Sequence, residues 1–148
     1  NPSGEVYATR SNSINWGTGN IICANSSVIT AEEISLNIFD AEDVDSINKT
    51  FNLTFTGDIY VGTNHITAAS NCRQANLYVN DAWEGTGIFK EILLYDIANN
   101  KTIYTAIIRK GYAVGYDGNT YNFELIVPED GHFGDTATTT YYFYVEIQ

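Results

Sequence analysis

The sequence predicts an all-β fold, an antiparallel β-sandwich of jelly-roll or immunoglobulin-like type with an extended amino-terminal strand. Three observations lead there. Apolar and polar residues alternate with period two in many short runs, turn residues separate those runs at regular spacing, and helical periodicity is nearly absent. With 148 residues the chain reads as one domain with room for a real core. The expected division is an extended segment over residues 1–20 and a sandwich over 21–148.

The first candidate strand is EVYATRS, rich in Val, Tyr and Thr. In AEEISLNIFDAEDVDSIN, Ile34, Leu36 and Ile38 alternate with polar residues, which predicts a strand ending in an acidic loop. In NKTFNLTFTGDIYVG, a strand places Asn48, Thr50, Asn52 and Thr54 on one face and Phe51, Leu53 and Phe55 on the other. Leu77 and Val79 share a face in ANLYVN. IFKEILLYDI and TIYTAIIRK read as a hairpin around the polar turn at 98–101. GYAVGY and TYNFELIV form a second hairpin around Asp117-Gly118-Asn119. In the last run, TTTYYFYVEIQ, Tyr141, Phe143, Val145 and Ile147 fall on one face and Tyr142 and Tyr144 on the other. The expected core therefore includes Phe51, Leu53, Phe55, Leu77, Val79, Phe143 and Val145.

Composition narrows the function. A net charge of −11 disfavours nucleic acid and anionic membrane surfaces, because phosphate is bound through clustered Lys and Arg, and with seven scattered basic residues no nucleic-acid partner is expected. No apolar run approaches the roughly 20 residues of a membrane helix, so no membrane insertion is expected. Asn, Thr, Ser, Gly and 11 Tyr stand where charge is usual, the mixture of an extracellular β-protein. The missing Met predicts a mature chain from which a leader has been cut. Four Asn-x-Ser/Thr sequons, at Asn25, Asn48, Asn52 and Asn100, point to an exported glycoprotein. Cys23 and Cys72, an isolated pair, predict one disulfide; two buried thiols are the alternative.

A catalytic kit is not in view, and no enzyme is expected. His65 and His132 sit in no nucleophile motif, and the adjacent Glu32 and Glu33 would face opposite sides of a strand. Asp40, Glu42, Asp43 and Asp45 are hard oxygen donors of the kind calcium takes, although the Gly and Glu of an EF-hand loop are missing. Glu129, Asp130 and Asp135 form a second acidic set, and solvated loops are the plainer reading of both. No other cofactor is expected. Trp16 and Trp83, in glycine-rich stretches, could stack on sugar rings, which supports an alternative function as a carbohydrate-binding or cell-surface recognition module.

The extended amino-terminal strand, the four sequons and the Tyr/Thr/Asn richness together resemble the subunits of archaeal extracellular filaments, of the thread and bundling-pilus type. The resemblance implies a secreted, cell-surface homopolymer with a role in adhesion, assembled by donor-strand complementation, with self as partner and surface glycans as a further one. The implied donor strand is Glu5, Val6, Tyr7, Ala8 and Thr9, entering its groove through Val6 and Ala8 or through Tyr7 and Thr9. Pairing in cis or in trans stays open at this level.

Overall fold

The computed structural model describes residues 2–83, 87–129, 134 and 136–148. The elements follow in order as β1 (Gly4–Thr9), β2 (Ile21–Cys23), helix α1 (Ser26–Ser35), the single turn α2 (Ile47–Thr50), β3 (Leu53–Thr54), β4 (Ile59–Val61), β5 (Asn64–Ile66) and a 3-10 turn (Ala68–Ser70). They continue as β6 (Arg73–Asn76), β7 (Tyr78–Val79), β8 (Ala82–Trp83), β9 (Lys90–Asp96), β10 (Lys101–Ile108), β11 (Ala113–Val114), β12 (Thr120–Tyr121) and β13 (Tyr142–Ile147). The chain is mostly β in antiparallel sheets, a sandwich-like fold and not a barrel.

Among the described residues one seven-stranded sheet dominates, ordered β13, β1, β10, β9, β6, β3, with β2 on the far end of β9. Alternation sorts the central strands onto two faces. Ala8, Ala75, Leu93 and Tyr104 pack on one side with Ile29 of α1, Phe51, Leu77 and Phe89. Tyr7, Ile92, Leu94 and Ile103 pack on the other with Ile21, Phe55, Val61 and Ile66, so the β4–β5 hairpin covers that face. Each face thus has its own cover of helix, small hairpins and loops.

The predicted β9–β10 hairpin is present in full, closed at 97–100, where Asn100 takes φ 53. The hairpin at Asp117-Gly118-Asn119 is also present, with Gly118 at φ 84, but β12 stops at Tyr121 and residues 123–129 run without strand pairing. The expected strand through Ile34 is instead the end of α1. Asn25 caps the helix by accepting from the Val28 N–H at 3.0 Å, and Asn37 at φ 55 ends it. Its inward stripe is Ile29, Glu32, Glu33 and then Leu36, a spacing of 3.6 with two carboxylates in it. The run at 48–55 is not a continuous strand either. Asn48 and Thr50 lie in α2, and only Leu53–Thr54 pair.

Core membership follows. Phe51, Phe55 and Leu77 are buried, whereas Leu53 is 43 % exposed and Val79 half-buried. Phe143 and Val145 are 62 % and 60 % exposed. They sit on the outermost strand of the sheet, where nothing among the described residues covers them fully.

Cys23 and Cys72 form the disulfide, with Cα atoms 4.9 Å apart and a separation of 49 in sequence. Cys23 lies opposite Leu94 and Gln74 opposite Ile92, so the bridge joins two strands that follow one another along the same edge of β9. Reduction, or replacement of both cysteines by Ala, is expected to lower unfolding free energy by about 4 kcal/mol for a ring of this length. Chemical denaturation of the oxidised and reduced protein checks the figure.

Candidate functional site

The residues singled out as a donor strand all lie in β1, and all of them are buried. Glu5 through Thr9 face Ile107 through Ile103 of β10 on one side and Glu146 through Tyr142 of β13 on the other, both antiparallel. The single chain therefore fills the groove in cis. Beyond the strands, Ser3 and Gln148 exchange two bonds: the Gln148 N–H donates to Ser3 O at 2.8 Å, and Ser3 Oγ to Gln148 O at 3.0 Å.

Sequence explains why β1 fits this narrow place. Gly4 takes φ +131 against β13, and a Cβ there would overlap the carbonyl oxygen of Glu146. Val6 and Ala8 point to the helix side, where small side chains let β1 lie close under its cover. Tyr7 and Thr9 point the other way. Thr9 Oγ1 donates to Thr102 O at 2.9 Å, and the Tyr7 ring packs 5.0 Å from Trp16, which meets Tyr144 at 5.9 Å. Trp16 is thus part of the packing over the seam rather than an open platform for sugar.

The polar centre of the seam is a cluster that the sequence reading passed over. The Tyr7 hydroxyl lies 2.9 Å from Glu146 Oε1 and 3.1 Å from Glu5 Oε1. Burial pushes the Glu5 carboxyl up, against the Tyr7 bond that lowers it, and the nearby Glu146 charge adds to the rise; the result is about 7 instead of 4.5. Burial and the two carboxylates push the Tyr7 phenol up, so it keeps its proton. A signal was present: Glu5-Val6-Tyr7 is the reverse of Tyr144-Val145-Glu146, and the register sets Glu on Glu, Val on Val and Tyr on Tyr.

Leaving β1, the chain is pinned to α1. Arg10 Nη2 pairs with Glu32 Oε1, and Tyr104 Oη donates to Glu32 Oε2 at 2.8 Å. Residues 10–20 then run without helix or strand to β2. On the edge strand β13, Phe143, Val145 and Ile147 form an exposed apolar row, and Phe143 is one wall of a groove of about 1070 Å³. Phe51, Leu77, Phe123 and the stacked pair Tyr116–Tyr121 also line it.

The other predicted residues are dispersed. Asp40, Glu42, Asp43 and Asp45 lie in the loop before α2. There Lys49 Nζ donates to the carbonyls of Ala41 and Asp43 at 3.0 and 2.8 Å, bringing a cation of the chain's own to that loop. Among the described residues no cluster of three metal-ligating side chains occurs. Glu129 is exposed; Asp130, His132 and Asp135, and the side chain of Trp83, lie outside the described residues. Exposed His65 pairs with Asp58. No helix among the described residues is long and apolar enough to cross a membrane. No protein-family model matches the chain, and no curated protein and no solved structure matches it either.

The sequons differ in what their side chains do. Asn52 is exposed. Asn25 and Asn100 are exposed too, and each accepts a bond through Oδ1, leaving Nδ2 toward solvent chemistry. Asn48 is half-buried, and its Nδ2 donates to the buried Glu33 Oε1 at 2.7 Å. Peptide mapping of protein from its native source is expected to find glycan on Asn25, Asn52 and Asn100 and none on Asn48. A second check concerns the seam: Gly4→Ala is expected to cost about 3 kcal/mol through strain at positive φ, read by thermal unfolding.

Proposed function

We propose that the protein is a structural subunit of a secreted, glycosylated extracellular filament in which β1 of one subunit enters the slot between β10 and β13 of the next. The observation that carries this reading is that β13 has β1 as its one ladder partner among the described residues. Withdrawing six residues therefore opens two unpaired strand edges at once, and an identical strand from a second copy fits them bond for bond. The connection at 10–20 is free of regular structure, and 11 residues can reach about 36 Å when extended. The cis-paired chain is then the closed monomer, and exchange preserves the ladders while linking copies.

The outer edge of β13 supports the same reading. Edge strands of monomers are usually guarded by Lys, Pro or a bulge. Residues 136–148 contain no Lys, Arg or Pro and a single acid, Glu146, whose carboxyl is turned to Tyr7. In a chain of charge −11 this edge lets two copies approach with a single carboxyl, Glu146, on the strand.

A second reading, the carbohydrate-binding or cell-surface recognition module, is favoured by the cis pairing of β1 and by the stacked Tyr116 and Tyr121 at the groove, ring centroids 6.1 Å apart. One experiment separates the two. Deleting residues 1–10 is expected to abolish filaments seen by electron microscopy, and a peptide of sequence EVYATRSNSIN is expected to bind the truncated chain and restore its sheet. Filaments that form without those residues overturn the exchange mechanism. A full-length chain that stays monomeric and binds glycans favours the module.

A further inference from the structure

We propose that the β1–β13 seam is a proton-operated latch, in which Glu5 must be protonated for Glu5, Tyr7 and Glu146 to remain together, so that rising pH loosens the seam. The inference rests on the exchange reading for its purpose, since the seam is what must open for β1 to leave, but its physics belongs to the single chain.

The geometry sets the proton count. Glu5 and Glu146 are direct partners across the ladder, and one phenol hydroxyl lies within 3.1 Å of an oxygen of each. That hydroxyl carries one hydrogen and can donate to one carboxylate only. Its shorter contact is to Glu146 Oε1, which the Gly62 N–H also approaches at 3.3 Å, so the phenol hydrogen is directed to Glu146. The contact to Glu5 is satisfied when Glu5 is a neutral acid and donates to the phenol oxygen. With both carboxyls ionised, they compete for the single phenol hydrogen, and two negative charges face each other across a seam whose β1 side is buried.

Among the described residues no ion pair reaches the cluster. From β1 the cluster meets Tyr7; from β13, Tyr144 and Glu146; from β10, the uncharged Ile107 and Thr105. The β4–β5 hairpin brings the Gly62 N–H, with Tyr60 and His65 further out, the latter paired to Asp58. Among the described residues the ion pairs are Arg10–Glu32 and His65–Asp58, and neither involves the seam.

The sign follows from linkage. The Glu5 carboxyl is raised from 4.5 to about 7 when β1 is docked. Below the lower value both docked and withdrawn strands hold the proton and the seam is at its tightest. Between the two values only the docked strand holds it, so each rise of one pH unit favours withdrawal by at most about tenfold. Above the upper value the weakening is complete and constant.

The test is amide hydrogen exchange of the full chain from pH 4.5 to 8, with protection factors corrected for intrinsic rates. Protection of 142–147 is expected to fall as pH rises to about 7 and then level off, while β9 and β10 change less. Glu5→Gln, which keeps the shape and removes the charge, is expected to flatten the profile at its tight end. Glu91→Gln, on the opposite face, is expected to leave it in place. A wild-type profile that is flat, or one that survives unchanged in both Glu5→Gln and Glu146→Gln, overturns the latch. Filament formation is scored separately by microscopy. A pH-dependent seam in a chain that never polymerises keeps the latch and removes the exchange reading. Filaments with a pH-independent seam do the reverse.

Discussion

Two hydrogen-bonded ladders share one six-residue strand, and the rest of the molecule is arranged around that fact. β1 needs a glycine where it meets Glu146, small side chains under the helix, and a large aromatic on the other face. Those demands explain the local sequence GEVYAT better than strand propensity does. They also explain why α1 is acidic on its inward side. Glu32 receives Arg10 and Tyr104, and so ties the end of β1 and the centre of β10 to the helix. Removing Arg10 would leave a buried carboxylate facing a phenol alone, a costly arrangement in a low-dielectric interior.

Buried acids recur, and their surroundings decide their state. Burial pushes up the carboxyl of Asp96, yet the side chains of Asn99 and Asn20 and the N–H groups of Asn15 and Asn99 outweigh it and hold the carboxyl below its usual range. That carboxylate fastens the loop at 15–20 to the β9–β10 turn. Glu91 is the opposite case. Burial pushes it well up, one N–H from Ile126 lowers it, and its second oxygen has no partner among the described residues. As a neutral acid it anchors the unpaired stretch at 123–127 over the sheet. The formal charge of −11 thus counts groups that the fold keeps neutral.

The strands with clean alternation and a clear turn were legible in the sequence, and the β9–β10 hairpin is the best case. The helix was not, because its inward stripe alternates Ile29 and Leu36 with Glu32 and Glu33. A hydrophobicity pattern scores those glutamates as outward, and only their later partners, Arg10, Tyr104 and Asn48, make burial acceptable. Phe51 and Phe55 were read as one strand face although a turn of helix ends just before the first. Phe143 and Val145 satisfied the pattern for a core strand and still lie open, since period two fixes which residues share a face but not whether that face is covered. The candidate seam was half legible. The first strand stood out, whereas the mirrored Glu-Val-Tyr and Tyr-Val-Glu segments acquire meaning only once the register is known.

The covalent bridge has a consequence that depends on where its ring lies. Cys23 and Cys72 enclose α1, α2 and the β4–β5 hairpin, and both β1 and β13 fall outside that ring. The entropy the bridge removes from the disordered chain belongs to the interval enclosed between Cys23 and Cys72. Neither seam strand is stapled to anything, so the bridged interval is covalently closed while the outermost pair of the sheet stays a zipper that can run open from one end. A pulling force applied through residues 1–3 and 148 would meet the Ser3–Gln148 bonds and the seam first, and would leave the bridged interval intact.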